Sequence, residues 1–139
     1  MGHAIHALVM SPVDARALVA QHAELRAFAL PQGFAIVPLN HQLIDALAER
    51  SNDDDVVRAL SSERTFAEVE TDYFGGTGKQ RAAVWRNCEA IFSTSWRKSD
   101  AINEALRMLG VRRTASDEFD ALELVRFRRY DAFERANPL

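Results

Sequence analysis

The stretch that decides the fold runs from Phe66 to Thr94 and reads FAEVETDYF, GGTG, KQRAAVWR, NC and EAIFST in succession. Side chains of the first segment alternate between two sets with a period of two, which is typical of a β-strand. Three glycines in residues 75–78 supply the positive φ angles that a hairpin loop needs. Asn87 and Cys88 are predicted as a second, two-residue turn. The stretch therefore predicts an antiparallel meander of three strands.

A four-residue loop would set the register of the first hairpin. Its glycines are Gly75, Gly76 and Gly78. The loop would place Phe74 opposite Lys79 and Asp72 opposite Arg81. The second turn would place Val84 opposite Ile91 and Ala83 opposite Phe92.

This register divides the meander between two faces. One face is predicted to contact the core and carries Val69, Thr71, Tyr73, Ala82, Val84 and Ile91. The other, here called the polar face, combines three carboxylates of one strand with a cation and two aromatic rings. Its candidate binding residues are Glu68, Glu70, Asp72, Arg81, Trp85 and Phe92. A slip of one residue would mix the two sets, so the pattern itself favours this division.

Three interpretations of the polar face stay open. It is a solvated sheet surface with an Asp72–Arg81 pair worth about 0.2–1 kcal/mol, or a protein-binding surface with aromatic anchors. The third interpretation is a catalytic or metal site built on the carboxylates, which the rest of the sequence does not complete.

Composition limits the class of protein. A chain of 139 residues with 47% hydrophobic residues fits one domain over residues 1–139. Its net charge of −3 argues against a nucleic-acid-binding protein. The single cysteine, Cys88, excludes an intrachain disulfide and fits a reducing compartment. The sequence lacks a signal peptide or an apolar run long enough for a membrane helix. We therefore expect a cytoplasmic protein that contacts neither nucleic acid nor membrane.

Known chemical motifs are incomplete. The segment GGTGK at 75–79 resembles a phosphate loop, but Tyr73 replaces the first glycine of that motif and Gln80 replaces its Ser or Thr. The four histidines lack the pair spacing of metal ligands. Cys88 has no local base that would activate it as a nucleophile. The sequence predicts neither a metal nor a cofactor.

The flanking segments predict the remaining elements. Residues 3–10 and 34–39 are predicted strands, the second an edge or strand end because Pro38 lacks an N–H. Helices are predicted after Ser11-Pro12, over residues 41–50 and before Gly110. The polar residues 51–55 are predicted either as a loop or as the start of a short helix that Asp55 caps and that ends at Leu60. Residues 116–122 are predicted as a short helix or turn and 124–128 as a last strand. Together they predict a single-domain α+β fold, with an antiparallel sheet and helices mainly on one face.

Three segments resemble a pattern found in a family of small uncharacterised bacterial proteins. They are YFGGTGKQ at 73–80, INEALRMLGV at 102–111 and DEFDAL at 117–122. The shared features are a glycine hairpin, a capped helix and an acidic turn. The resemblance implies structure in the C-terminal half and carries no activity.

The first functional hypothesis is a bacterial protein-binding module of the immunity or toxin-inhibitor type, with Glu70, Asp72 and Trp85 as anchors. It follows from the incomplete catalytic motifs and the acidic and aromatic polar face. One alternative is an enzyme that acts on a small molecule and uses Asp72, Tyr73 or Arg81 in a pocket beside the glycine loop. A concave, partly buried site would favour this alternative over a binding module. Another is a homo-oligomeric structural protein that associates through Trp85 and Phe92.

Overall fold

The computed structural model describes residues 3–22, 25–39, 53–74, 77–97 and 101–112, which form one six-stranded antiparallel sheet and three helices. The strands are β1 (His3–Met10), β2 (Phe28–Leu30), β3 (Phe34–Leu39), β4 (Thr65–Phe74), β5 (Thr77–Arg86) and β6 (Glu89–Ser93). Their order across the sheet is β2-β3-β1-β4-β5-β6. The predicted α+β class is confirmed, and the predicted meander forms one half of the sheet.

The three helices are α1 (Pro12–Gln21), α2 (Asp53–Leu60) and α3 (Ala101–Leu109). As predicted, Ser11 caps α1, and its Oγ accepts a hydrogen bond from the Asp14 amide at 3.2 Å. The end of α3 is also as predicted, because Gly110 has a φ of 101°. A further contact fixes the start of α3: the Gln80 side chain on β5 accepts a hydrogen bond from the Ile102 amide at 2.9 Å.

Buried side chains form two clusters. The first contains Ala67, Val69, Ala82 and Val84 of the meander together with the buried residues of α3. The second contains Phe66, Ala83 and Trp85 together with buried residues of α1 and α2. Because successive residues of a strand point to opposite faces, the clusters lie on opposite faces of the sheet. The polar face therefore shares its side of the sheet with the second cluster.

The predicted register of the first hairpin is wrong by two residues. Phe74 pairs with Thr77, which leaves a two-residue connection of Gly75 and Gly76, outside the described residues, and places Gly78 within β5. Two residues suffice for a hairpin turn when both are glycine. Asp72 consequently pairs with Lys79, and Arg81 pairs with Glu70. A shift by two residues keeps Glu70, Asp72 and Arg81 on the predicted polar face.

The second turn is confirmed, but the strand that follows it is not as predicted. Arg86 pairs with Glu89 across Asn87 and Cys88, whose φ angles of 48° and 68° are typical of a tight hairpin turn. The register then shifts at a β-bulge between Val84 and Trp85.

The bulge changes the face to which Phe92 belongs. Phe92 pairs with Val84 and packs against the first cluster, whereas the prediction placed it on the polar face. Ile91, predicted to be in the core, is 46% exposed. Since Phe92 and Trp85 lie on opposite faces, they do not form the single surface that the homo-oligomer hypothesis assumed.

Pro38 lies in β3, between β2 and β1. Only residues 34–36 of β3 pair with β2, so Pro38 is beyond the reach of that short strand. Its missing N–H therefore costs no hydrogen bond on that side. The helix predicted over 41–50, the turn at 116–122 and the strand at 124–128 lie outside the described residues.

Candidate functional site

Three adjacent strands bring the polar side chains together. His6 of β1 pairs with Glu70 of β4, and Glu70 pairs with Arg81 of β5, so these residues form one row across the sheet. Glu68 lies two residues before Glu70 and therefore on the same face. The result is a histidine, two carboxylates and a guanidinium near the middle of the sheet.

The row and Glu68 are linked by short polar contacts. His6 Nε2 lies 2.5 Å from Glu68 Oε2 and 3.4 Å from Glu70 Oε1. Arg81 Nη2 donates to Glu70 Oε1 at 2.7 Å. The His6, Glu68 and Glu70 side chains are 15%, 10% and 15% exposed, respectively. These contacts compensate for the cost of burying charged groups.

Two aromatic rings border this cluster. Trp85 is 5% exposed, and its indole Nε1 donates to Glu68 Oε1 at 3.0 Å. The Arg58 guanidinium of α2 lies over the Trp85 ring at 5.3 Å, and that of Arg81 lies over Trp96 at 5.2 Å. The indole thus joins the acidic cluster to α2.

Burial and pairing shift two pKa values in opposite directions. Burial by itself lowers the pKa of His6, but its hydrogen bond to Glu68 and the charges of Glu70 and Glu68 outweigh burial and raise that pKa above 6.5. Burial by itself raises the pKa of Glu68. The His6 hydrogen bond and charge, the Trp85 hydrogen bond and the Arg81 charge reverse this and lower it below 4.5. Both shifts favour the ionised forms of His6 and Glu68.

A cavity of about 330 Å³ opens beside the cluster. Its lining combines charged groups of β4, β5 and α2 with small residues of β5 and β6. The residues are Arg58, Glu68, Glu70, Arg81, Ala82, Ala83, Trp85, Ala90, Ser93 and Thr94. The polar face is therefore concave and partly buried at this point.

The structure brings four of the six predicted binding residues to this site, namely Glu68, Glu70, Arg81 and Trp85. Asp72 lies on the same face of β4, but it is exposed and does not line the cavity. Phe92 belongs to the opposite face, as described above.

Sequence analysis missed His6 and Arg58. The predicted strand at 3–10 contained His6, but nothing in the sequence indicated that β1 pairs with β4. Arg58 lies in the last turn of α2, and its place above Trp85 depends on how that helix packs. Neither residue belongs to a motif that would have marked it.

Compared with known proteins, the chain matches no family model, no curated protein and no solved structure. The resemblance to bacterial proteins with a glycine hairpin therefore stays a prediction. Within the residues that the structure describes, no helix is long and apolar enough to cross a membrane.

Proposed function

We propose that the protein binds a small polar molecule in the cavity beside Glu70 and Arg81. The observation that carries this proposal is the concave, charged lining of the 330 Å³ cavity. Its volume is near the lower end of the range for small-molecule sites. A flat protein-binding surface would leave Trp85 accessible, whereas this side chain is 5% exposed.

The charges of the lining indicate the chemistry of the ligand. Arg81 is paired with Glu70, and Glu68 accepts hydrogen bonds from Trp85 and His6. Arg58 donates to the Cys88 carbonyl at 3.2 Å, but the ion pairs between described residues do not include it. An exposed guanidinium held over an indole suits a carboxylate or phosphate group. We expect a small molecule with an anionic group directed toward Arg58.

A thermal-shift screen of small carboxylates and phosphorylated compounds tests this proposal. A ligand that raises the Tm of the natural protein should raise the Tm of the Arg58→Ala variant by less. Arg86→Ala is the matched control, because Arg86 is an exposed arginine of β5 that does not line the cavity. If Arg86→Ala weakens binding as much as Arg58→Ala does, the assignment of the ligand to this cavity is wrong.

A protein-binding role of the immunity or toxin-inhibitor type is the second candidate. It is supported by β6, which is the last strand of the sheet among the described residues, and by two exposed apolar side chains, Ile91 in β6 at 46% and Trp96 just after it at 41%. An edge strand with such side chains can receive an extended segment of a partner. We place this role in the bacterial cytoplasm, where the single cysteine would stay reduced.

An affinity pull-down from native lysate tests the second candidate. A stoichiometric partner should be lost with Ile91→Lys and kept with Val13→Lys, since Val13 is 72% exposed and belongs to α1 rather than to β6. Light scattering after size exclusion shows whether the partner is a second copy of the chain. Retention of the partner by Ile91→Lys would exclude β6 as its binding surface.

A further inference from the structure

Three metal-ligating groups converge on one point of the polar face. The His6 imidazole and the carboxylates of Glu68 and Glu70 each offer a ligand atom, and these atoms all lie within 4.8 Å of one another. They come from two adjacent strands near the middle of the sheet, where pairing between strands fixes their backbone positions. Such a combination of one imidazole and two carboxylates is found at protein sites for divalent transition metals.

We propose that His6, Glu68 and Glu70 bind a divalent transition-metal ion such as Zn²⁺ or Mn²⁺. The imidazole favours these ions over Mg²⁺ and Ca²⁺, which prefer oxygen ligands alone. Three protein ligands leave at least one coordination position open, as in catalytic zinc sites. Glu68 and Glu70 also line the cavity, so this position is accessible to water or to a bound molecule.

The distances between ligand atoms suit an ion after a small adjustment. Metal–ligand distances of about 2.0–2.2 Å place neighbouring ligand atoms roughly 3.0–3.5 Å apart. His6 Nε2 and Glu70 Oε1 are already separated by 3.4 Å. His6 Nε2 and Glu68 Oε2 are 2.5 Å apart and would have to separate by about 0.5–1 Å. Rotation of the Glu68 side chain would supply a change of this size, and the ion would replace the His6–Glu68 hydrogen bond.

Two neighbouring side chains hold the carboxylates in position. Trp85 Nε1 donates to Glu68 Oε1, the oxygen that does not contact His6. Arg81 Nη2 donates to Glu70 Oε1, the same oxygen that lies 3.4 Å from His6 Nε2, and leaves Glu70 Oε2 as a second possible ligand atom. Hydrogen bonds of this kind to ligating carboxylates orient them at metal sites. Arg81 also supplies one positive charge, so the bound ion would face a site with a net charge of −1 when His6 is neutral.

Metal titration of the full chain tests this proposal without any small-molecule ligand, so its result is independent of the function proposed above. After dialysis against EDTA, Zn²⁺ and Mn²⁺ are titrated by calorimetry, and Co²⁺ by its visible absorption. We expect one equivalent to bind. His6→Gln and Glu70→Gln should each weaken binding at least tenfold, which is about 1.4 kcal/mol.

Asp72→Asn is the matched control, because Asp72 is an exposed carboxylate on the same face of β4. It should bind the ion like the natural protein. Circular dichroism and urea denaturation identify any variant that fails to fold, and Glu68→Gln, which keeps an oxygen for Trp85, provides a further test. Absence of binding to the natural protein, or full affinity in folded His6→Gln, would overturn the proposal.

Discussion

Replacing Trp85 by Phe should destabilise the protein by about 2.5–4 kcal/mol. The indole N–H donates to Glu68 Oε1 at 3.0 Å in a buried contact, and hydrogen bonds to charged groups contribute about 1.5–3 kcal/mol. Loss of the second ring at a site that is 5% exposed leaves a small void and adds roughly 1 kcal/mol. Phe keeps an aromatic face for Arg58, so the cation–π contact changes by less than about 1 kcal/mol.

The free energy of unfolding is measured by urea denaturation and followed by circular dichroism, because the substitution itself changes the fluorescence. Trp96→Phe is the matched control: Trp96 is the other tryptophan of the chain, it also stacks with an arginine, and it is 41% exposed. Its substitution should cost less than about 1 kcal/mol. If the two variants lose the same stability, the Trp85–Glu68 hydrogen bond does not have the role described here.

Three further substitutions test the packing around the sheet by urea denaturation. Ser61→Ala should lower the free energy of unfolding by about 1–3 kcal/mol. The fully buried hydroxyl accepts a hydrogen bond from the Cys88 amide of the β5–β6 turn and donates one to the Arg58 carbonyl of α2. An unchanged free energy of unfolding would contradict this prediction. Gln80→Ala should lower the free energy of unfolding by about 1 kcal/mol, because it removes the hydrogen bond from the Ile102 amide. Gln80→Glu keeps the acceptor oxygen, so its free energy of unfolding should be close to that of the natural protein. Leu106→Ala should lower the free energy of unfolding by about 2–5 kcal/mol, because Leu106 is fully buried. Met108 is 51% exposed, so Met108→Ala should change the free energy of unfolding by less than about 0.5 kcal/mol.

The sequence predicted the faces of β4 and β5 even though the predicted register was wrong. Side chains in a strand alternate with a period of two, so a two-residue shift moves Arg81 from Asp72 to Glu70 and leaves all three on the polar face. The register depends on the length of the glycine loop, and glycines at 75, 76 and 78 are compatible with a two-residue connection as well as with the predicted four-residue loop. Periodicity thus predicts which face a residue occupies better than it predicts its partner.

The site itself depends on contacts between distant parts of the chain. His6 and Glu68 are separated by 62 residues, and they meet because β1 pairs with β4. The sequence predicted both strands but not their pairing, which packing of the whole sheet determines. The same packing leaves Glu68 only 7% exposed and gives Trp85 a buried hydrogen-bonding role.

The bulge between Val84 and Trp85 explains why the cavity is open. A regular pairing after the β5–β6 turn would place Phe92 opposite Ala83, with its ring directed toward the polar face. Because Ile91 is an extra residue at the bulge, Ser93 pairs with Ala83 instead. Phe92 then lies on the opposite face, where it packs against the first cluster. A small hydroxyl side chain therefore lines the space that an aromatic ring would otherwise fill. One irregularity in the pairing of β5 with β6 thus leaves the cavity beside Glu68 open.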